Sequence, residues 1–210
     1  MQILYSSFLG GAAETTGPVN LEQFAGLTGN NPLTVADVGT DVALDPANNA
    51  YVTGIAYSGA ASFPLVHAFQ STQTDAPGQN PVGFIAKFDT SQSGAASLIY
   101  STYIGGSGDT SSTNSGDGDL PFGIAVDGSG EPFIVGQTYS TNFPETSTCG
   151  GFGTTKDGGA AVNNGFVAKL NAAGSAIVYA CYINGTNNAT EARVALFPVG
   201  CNSTTLCKAW

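Results

Sequence analysis

GIAVDGSGEPFIVG, residues 123–136, reads as a β-hairpin: two short runs of Ile, Ala, Val and Phe separated by a cluster of Asp, Gly, Ser and Pro. Within the runs the apolar residues are consecutive, Ile124-Ala125-Val126 and Phe133-Ile134-Val135, rather than alternating with polar ones. Such strands want both faces buried, which is the demand of sheets stacked face to face in propeller blades or layered sandwiches.

Outward from this hairpin the chain repeats itself. DVALDPANNAYVTG (41–54) stands 82 residues before it, and GFIAKFD (83–89) and GFVAKLN (165–171) keep the same offset. A Tyr-rich segment occurs three times, as ILYSSFLGG (3–11), LIYSTYIGG (98–106) and IVYACYING (177–185). A Phe-Pro loop follows each hairpin, in SFPLVHAFQ from Ser62 and NFPETSTCGGFG from Asn142. The order of elements is the same in both copies, the mark of a tandem repeat. Each copy reads as four strands in a meander, VALD or IAVD, AYVTG or PFIVG, FIAKF or FVAKL, and the Tyr-rich strand. The predicted architecture is all-β: two four-stranded, propeller-like antiparallel blades, an extra N-terminal strand, and a C-terminal tail of strand and disulfide. The predicted organisation is an orphan strand (1–11), an insertion with the first repeat (12–106), the second repeat (107–185) and a capping tail (186–210). Residues 20–27 of the insertion read as a single helical turn, and RVALFPVGC (193–201) as a further strand.

This pattern resembles the bacterial β-propeller repeat family known as SBBP, over about 41–106 and 120–185 plus the isolated 3–11. The resemblance implies a blade-like fold in a secreted or cell-surface setting, and it brings no catalytic residues with it. Propellers close with typically four to eight blades. Two blades do not close a ring alone.

Composition narrows the function classes. Five Lys and Arg against fifteen Asp and Glu give a net charge of −10, which repels nucleic-acid phosphates and anionic lipid. At 42% hydrophobic and 10% charged residues the chain is built to fold and not to stay disordered. No apolar run approaches the roughly 18 residues of a membrane-spanning helix, and MQILYSSFLGG lacks a signal peptide's basic start, so the expectation is a soluble chain with no membrane insertion. An export signal is then absent or already removed. Low charge, few lysines and abundant Thr, Ser, Asn and Gly point to an extracellular or cell-surface location.

Cys149, Cys181, Cys201 and Cys207 show no metal-binding spacing. In an exported protein they form two disulfides by one of three connectivities, of which Cys149 with Cys181 and Cys201 with Cys207 is favoured; in a cytosolic one they are four free thiols. Sequons at Asn184, Asn188 and Asn202 are candidate glycosylation sites. Asp109, Asp117 and Asp119 in GSGDTSSTNSGDGDLP (106–121) offer hard oxygen ligands that suit calcium, although the spacing is not that of an EF-hand and a solvated acidic loop is the favoured reading. No other cofactor is indicated. Asp45 and Asp127 recur at matching positions and read as turn residues of the first hairpins.

Enzyme signatures are scarce: His67 is the only histidine, and no nucleophile elbow or phosphate-binding loop is present. The expectation is therefore not an enzyme. Tyr57, Tyr139 and Trp210 are candidates to stack on glycans, although aromatics in a β-protein are usually core. Too few blades and one strand too many point instead to other copies of the chain as partners, with Ile3, Leu4, Tyr5, Phe8 and Leu9 of the orphan strand as assembly residues. Head-to-tail repetition of that contact gives a filament or a ring. The alternatives are that the orphan strand closes a sheet of its own chain, or that the chain is a fragment of a longer propeller.

Overall fold

The computed structural model describes residues 9–11, 37–58, 62–73, 80–109, 117–146, 153, 155–158, 162–183 and 194. Each repeat folds into one antiparallel meander. The first sheet runs β1 (Val38–Leu44), β2 (Ala50–Ala56), β3 (Val82–Phe88) and β4 (Leu98–Ile104), with a 3₁₀ turn (Gly94–Ser97) leading into the last strand. The second runs β5 (Asp119–Val126), β6 (Pro132–Thr138), β7 (Asn164–Leu170) and β8 (Ile177–Ile183). The two sheets are not closed into a barrel, so the all-β, two-sheet architecture read from the repeat is the one observed.

The hairpins form where turn chemistry allows. The Asp45 carboxylate accepts the N–H groups of Ala47 and Asn49, both at 2.9 Å, and the Asp127 carboxylate accepts those of Ser129 (2.9 Å) and Glu131 (3.0 Å). These Asx turns hold the backbone so that Asn48 and Gly130 take positive φ, 65° and 79°. The strands preceding these turns start earlier than the VALD and IAVD reading. Both pairs slip register, between Gly39 and Asp41 and between Pro121 and Gly123, so Thr40 and Phe122 are bulge residues that interrupt the pattern. Two more bulges turn Ile99 and Val178 outward on the fourth strands, which accounts for these two exposed apolar side chains.

The Phe-Pro loops fold back over the sheets. Phe63 stacks on Phe84 and Tyr103 at 5.0 and 5.4 Å, and Phe143 on Phe166 and Tyr182 at 4.6 and 6.1 Å. The second tyrosine of each Tyr-rich strand fixes the exit of the second strand: the Tyr103 hydroxyl donates to the Ser58 carbonyl and that of Tyr182 to the Ser140 carbonyl, each at 2.9 Å.

Strand pairing sorts the side chains onto faces. One face of the first sheet carries Ala43, Tyr51, Ile85, Tyr100 and Ile104; one face of the second carries Ile124, Ile134, Phe166, Leu170 and Tyr182. These two faces interlock as a single core cluster in which Tyr51, Tyr100, Ile134, Phe166 and Leu170 are all fully buried. Each such side chain contributes about 1.5–3 kcal/mol over its exposed state, so the sheets hold each other together. Polar contacts fix the register of the joint. The Tyr51 hydroxyl donates to the Gly130 carbonyl (3.0 Å), and the Ile124 N–H donates to the Asp41 carboxylate (3.0 Å).

Candidate functional site

Two aspartates, 82 residues apart, sit where one repeat hands over to the next. Asp119 opens β5 and is fully buried; its carboxylate accepts the Gly106 N–H at 2.7 Å and the hydroxyls of Thr138 and Ser140. Burial pushes this carboxyl up to about 6, against the three donors that stabilise its charge. Asp37, just ahead of β1, accepts the N–H groups of Tyr57 (2.9 Å), Ser58 (3.0 Å) and Gly11 (2.6 Å). Gly106 and Gly11 are the last residues of two copies of the Tyr-rich segment. The end of the N-terminal segment thus meets the first sheet as the end of β4 meets the second.

The same correspondence breaks down beside Asp37. The first-sheet face turned away from the second sheet carries Val42, Leu44, Val52, Phe84 and Phe88, at the register positions that hold Ile124, Val126, Ile134, Phe166 and Leu170 in the second. In the second sheet Ile124 is 4% exposed because the first sheet covers it; its counterpart Val42 is 60% exposed, and so is Leu44. Leu9 and Val52 pack against the buried cluster of Ala56, Phe63, Val82, Phe84 and Tyr103 at the side of this face. A cavity of about 350 Å³ opens between Leu9, Asp37, Val42, Val52, Phe84 and Phe88. On this face Val42 and Leu44 are exposed, whereas Phe84 and Phe88 are buried.

A second repeated constellation is structural. Lys87 lies 3.6 Å from Asp45 and 4.8 Å from the Tyr51 ring centre; Lys169 lies 3.1 Å from Asp127, 2.6 Å from Glu131 and 4.7 Å from the Phe133 ring centre. Burial works to raise the Asp45 and Asp127 carboxyls and to lower the Lys169 amine. Hydrogen bonds and opposite charges outweigh it, leaving both carboxyls below and the amine above their usual ranges. Asp45 and Asp127 therefore serve the turns, as read from the sequence, and also anchor the third strand.

The candidate calcium ligands do not converge. Asp109 is buried, with its N–H on the Asp117 carbonyl at 2.7 Å, and Asp119 spends its carboxylate on protein donors. Among the described residues no group of three or more His, Cys, Asp or Glu side chains is placed to hold a metal ion. Cys181 lies buried on β8 as a disulfide-bonded cysteine, and the three other cysteines, Cys149, Cys201 and Cys207, lie outside the described residues. Asn184, Asn188, Asn202, Trp210, the assembly residues Ile3, Leu4, Tyr5 and Phe8, the helical turn at 20–27 and all but Val194 of the strand at 193–201 also lie outside them.

Tyr57 is buried, which pushes its hydroxyl up to about 12 and leaves it little face for a sugar ring; Tyr139 is half-buried. His67 is exposed, with Nδ1 3.1 Å from the Ile99 carbonyl. Sequence reasoning missed Asp37 and the pairing of Lys with Asp, although both carry the 82-residue period. Compared with known protein families and with characterised proteins, the chain matches none.

Proposed function

We propose that this protein is an extracellular structural subunit that assembles into a filament or other homopolymer by β-strand complementation. The N-terminal segment with Ile3, Leu4, Tyr5, Phe8 and Leu9 would give a strand to a neighbouring copy. One observation carries the reading. Two of the three Tyr-rich segments are the fourth strands of sheets, β4 and β8, whereas the first ends on Asp37 in the manner of a fourth strand that belongs to a preceding sheet. Among the described residues there is no such sheet. A disulfide-bonded Cys181 and a surface poor in lysine favour an oxidising, extracellular setting, with Cys149–Cys181 and Cys201–Cys207 as the proposed pairs. The SBBP-type propeller kinship is proposed on the repeat alone.

The test is removal of residues 1–8, which leaves Leu9 to Gly11 seated on the first sheet. Negative-stain electron microscopy and sedimentation should show polymers of the whole chain and only small species of the truncated one. Polymers that form equally well without residues 1–8 overturn strand donation.

A further inference from the structure

We propose that the Phe-Pro loop of each repeat locks the open edge of its own sheet, by hydrogen bonds in the first repeat and by a Cys149–Cys181 disulfide in the second, and so denies that edge to a strand from another copy. The inference rests on the disulfide pairing proposed above and gives that bond a place and a task.

β4 and β8 are the outer strands of their sheets, and an uncovered outer strand is a template for pairing with another chain. In the first sheet the outward backbone groups of β4 are taken up within the chain. Val66 and Ser101 exchange backbone hydrogen bonds at 3.2 and 2.8 Å, and Tyr103 donates its N–H to the Gln70 carbonyl at 3.1 Å. Between them, Thr102 Oγ1 accepts the Gln70 N–H at 2.8 Å. The edge of β8 is held in the same way. Thr146 donates its N–H to the Ala180 carbonyl (2.8 Å) and takes the Ala180 N–H on Oγ1 (3.1 Å), and Tyr182 donates its N–H to the Gly153 carbonyl (3.1 Å). Phe63 on Tyr103 and Phe143 on Tyr182 root the two loops alike.

The match changes at one position. Cys181 stands directly before Tyr182 as Thr102 stands directly before Tyr103, so a cysteine replaces the threonine that ties the first loop down. Cys181 is buried and disulfide-bonded. Cys149 falls in the short stretch between Thr146 and Gly153, and those two residues are pinned on either side of Cys181, at Ala180 and Tyr182. A loop closed that tightly needs little further ordering to bring the two Cα atoms within the about 7 Å that a disulfide spans. Cys201 and Cys207 lie well beyond the end of β8 at Ile183. The first loop needs three residues to cross from Val66 to Gln70 and the second takes six from Thr146 to Gly153, so the covalent bond secures the longer span.

Peptide mapping of the unaltered chain without reduction should recover Cys149 joined to Cys181; Cys181 joined to Cys201 or Cys207 overturns the inference. Hydrogen exchange read amide by amide tests the task of the bond. The Ala180 and Tyr182 amides, which point into the lock, should exchange at least tenfold faster in Cys149→Ser with Cys181→Ser, while Ser101 and Tyr103 under the first lock keep their rates. Equal protection of Ala180 and Tyr182 with and without the cysteines overturns the lock. If the serine pair does not fold, Cys149→Ala with Cys181→Val takes its place with the same expectation, since position 181 is paired with Val167 and buried. All of these chains keep residues 1–8. Strand donation is tested by truncation and the lock by mapping and exchange, so either can fail while the other stands.

Discussion

Asp119→Asn is the substitution whose outcome is least obvious, because two large effects oppose each other at one carboxyl. The side chain is fully buried, which penalises its charge; it also accepts hydrogen bonds from the Gly106 N–H and the Thr138 and Ser140 hydroxyls, which favour its charge. Burial wins, and the folded-state value rises to about 6 from 3.8. The sign follows by linkage. A carboxyl raised on folding binds its proton more tightly in the folded state, so its contribution is fully present below pH 3.8 and is lost as pH rises through about 6. A shift of about two pH units at about 1.4 kcal/mol each gives about 3 kcal/mol. Urea unfolding of both proteins at pH 4, 5, 6 and 7 isolates this term, since the relief of general charge repulsion is nearly common to both. The stability of the unaltered chain relative to Asp119→Asn should increase by about 2 kcal/mol from pH 7 to pH 4, the full contribution being reached only below pH 3.8. A difference that stays flat, or that shrinks on acidification, would show that the three donors outweigh burial and would refute the reasoning.

Two further expectations concern the joints. Lys169→Met removes a half-buried amine from both Asp127 and Glu131 and should cost about 1–2 kcal/mol by chemical denaturation, whereas Lys87→Met, with one carboxylate at 3.6 Å, should cost under about 1; equal losses would argue that the charges do not matter. Gly174→Ala should cost about 2–4 kcal/mol, since Gly174 has φ of 67° and a Cβ there would strike the Tyr100 ring across the joint. Gly94→Ala has nearly the same φ with nothing nearby, so it should lose only the about 1–2 kcal/mol of backbone strain, and a similar loss at both sites would remove the steric argument.

The strands were legible because the repeat states them twice, and a pattern at a fixed offset leaves little freedom in assignment. Where the reading of strand starts failed, the cause was local: Thr40 and Phe122 are bulge residues, and a bulge shifts the period-2 signal by one without a mark of its own. Asp119 was open to reading as a loop ligand because it follows a glycine- and aspartate-rich stretch. What disclosed its role was its partner across the joint, Gly106, a tertiary contact. The comparison with Asp37, 82 residues earlier and also downstream of a Gly-Gly pair, held the signal all along. Exposure was illegible for a different reason. Val42 and Ile124 are interchangeable in sequence, and only the neighbour that covers one and leaves the other open distinguishes them.

That difference gives the stacked sheets a direction. The covering face of the first sheet brings the Tyr51 hydroxyl to the Gly130 carbonyl and the Asp41 carboxylate to the Ile124 N–H, two polar contacts that set register while the apolar side chains supply the energy. In the second sheet Phe133 stands at the register position of Tyr51 and Gly123 at that of Asp41, so the corresponding face keeps the apolar surface and loses both polar contacts. A contact between copies through that face would be held by burial alone, with less to fix its register, whereas the joint within the chain is held by both. The chain itself is then the durable unit, and any contact that extends it beyond two sheets is the one that dilution should undo first.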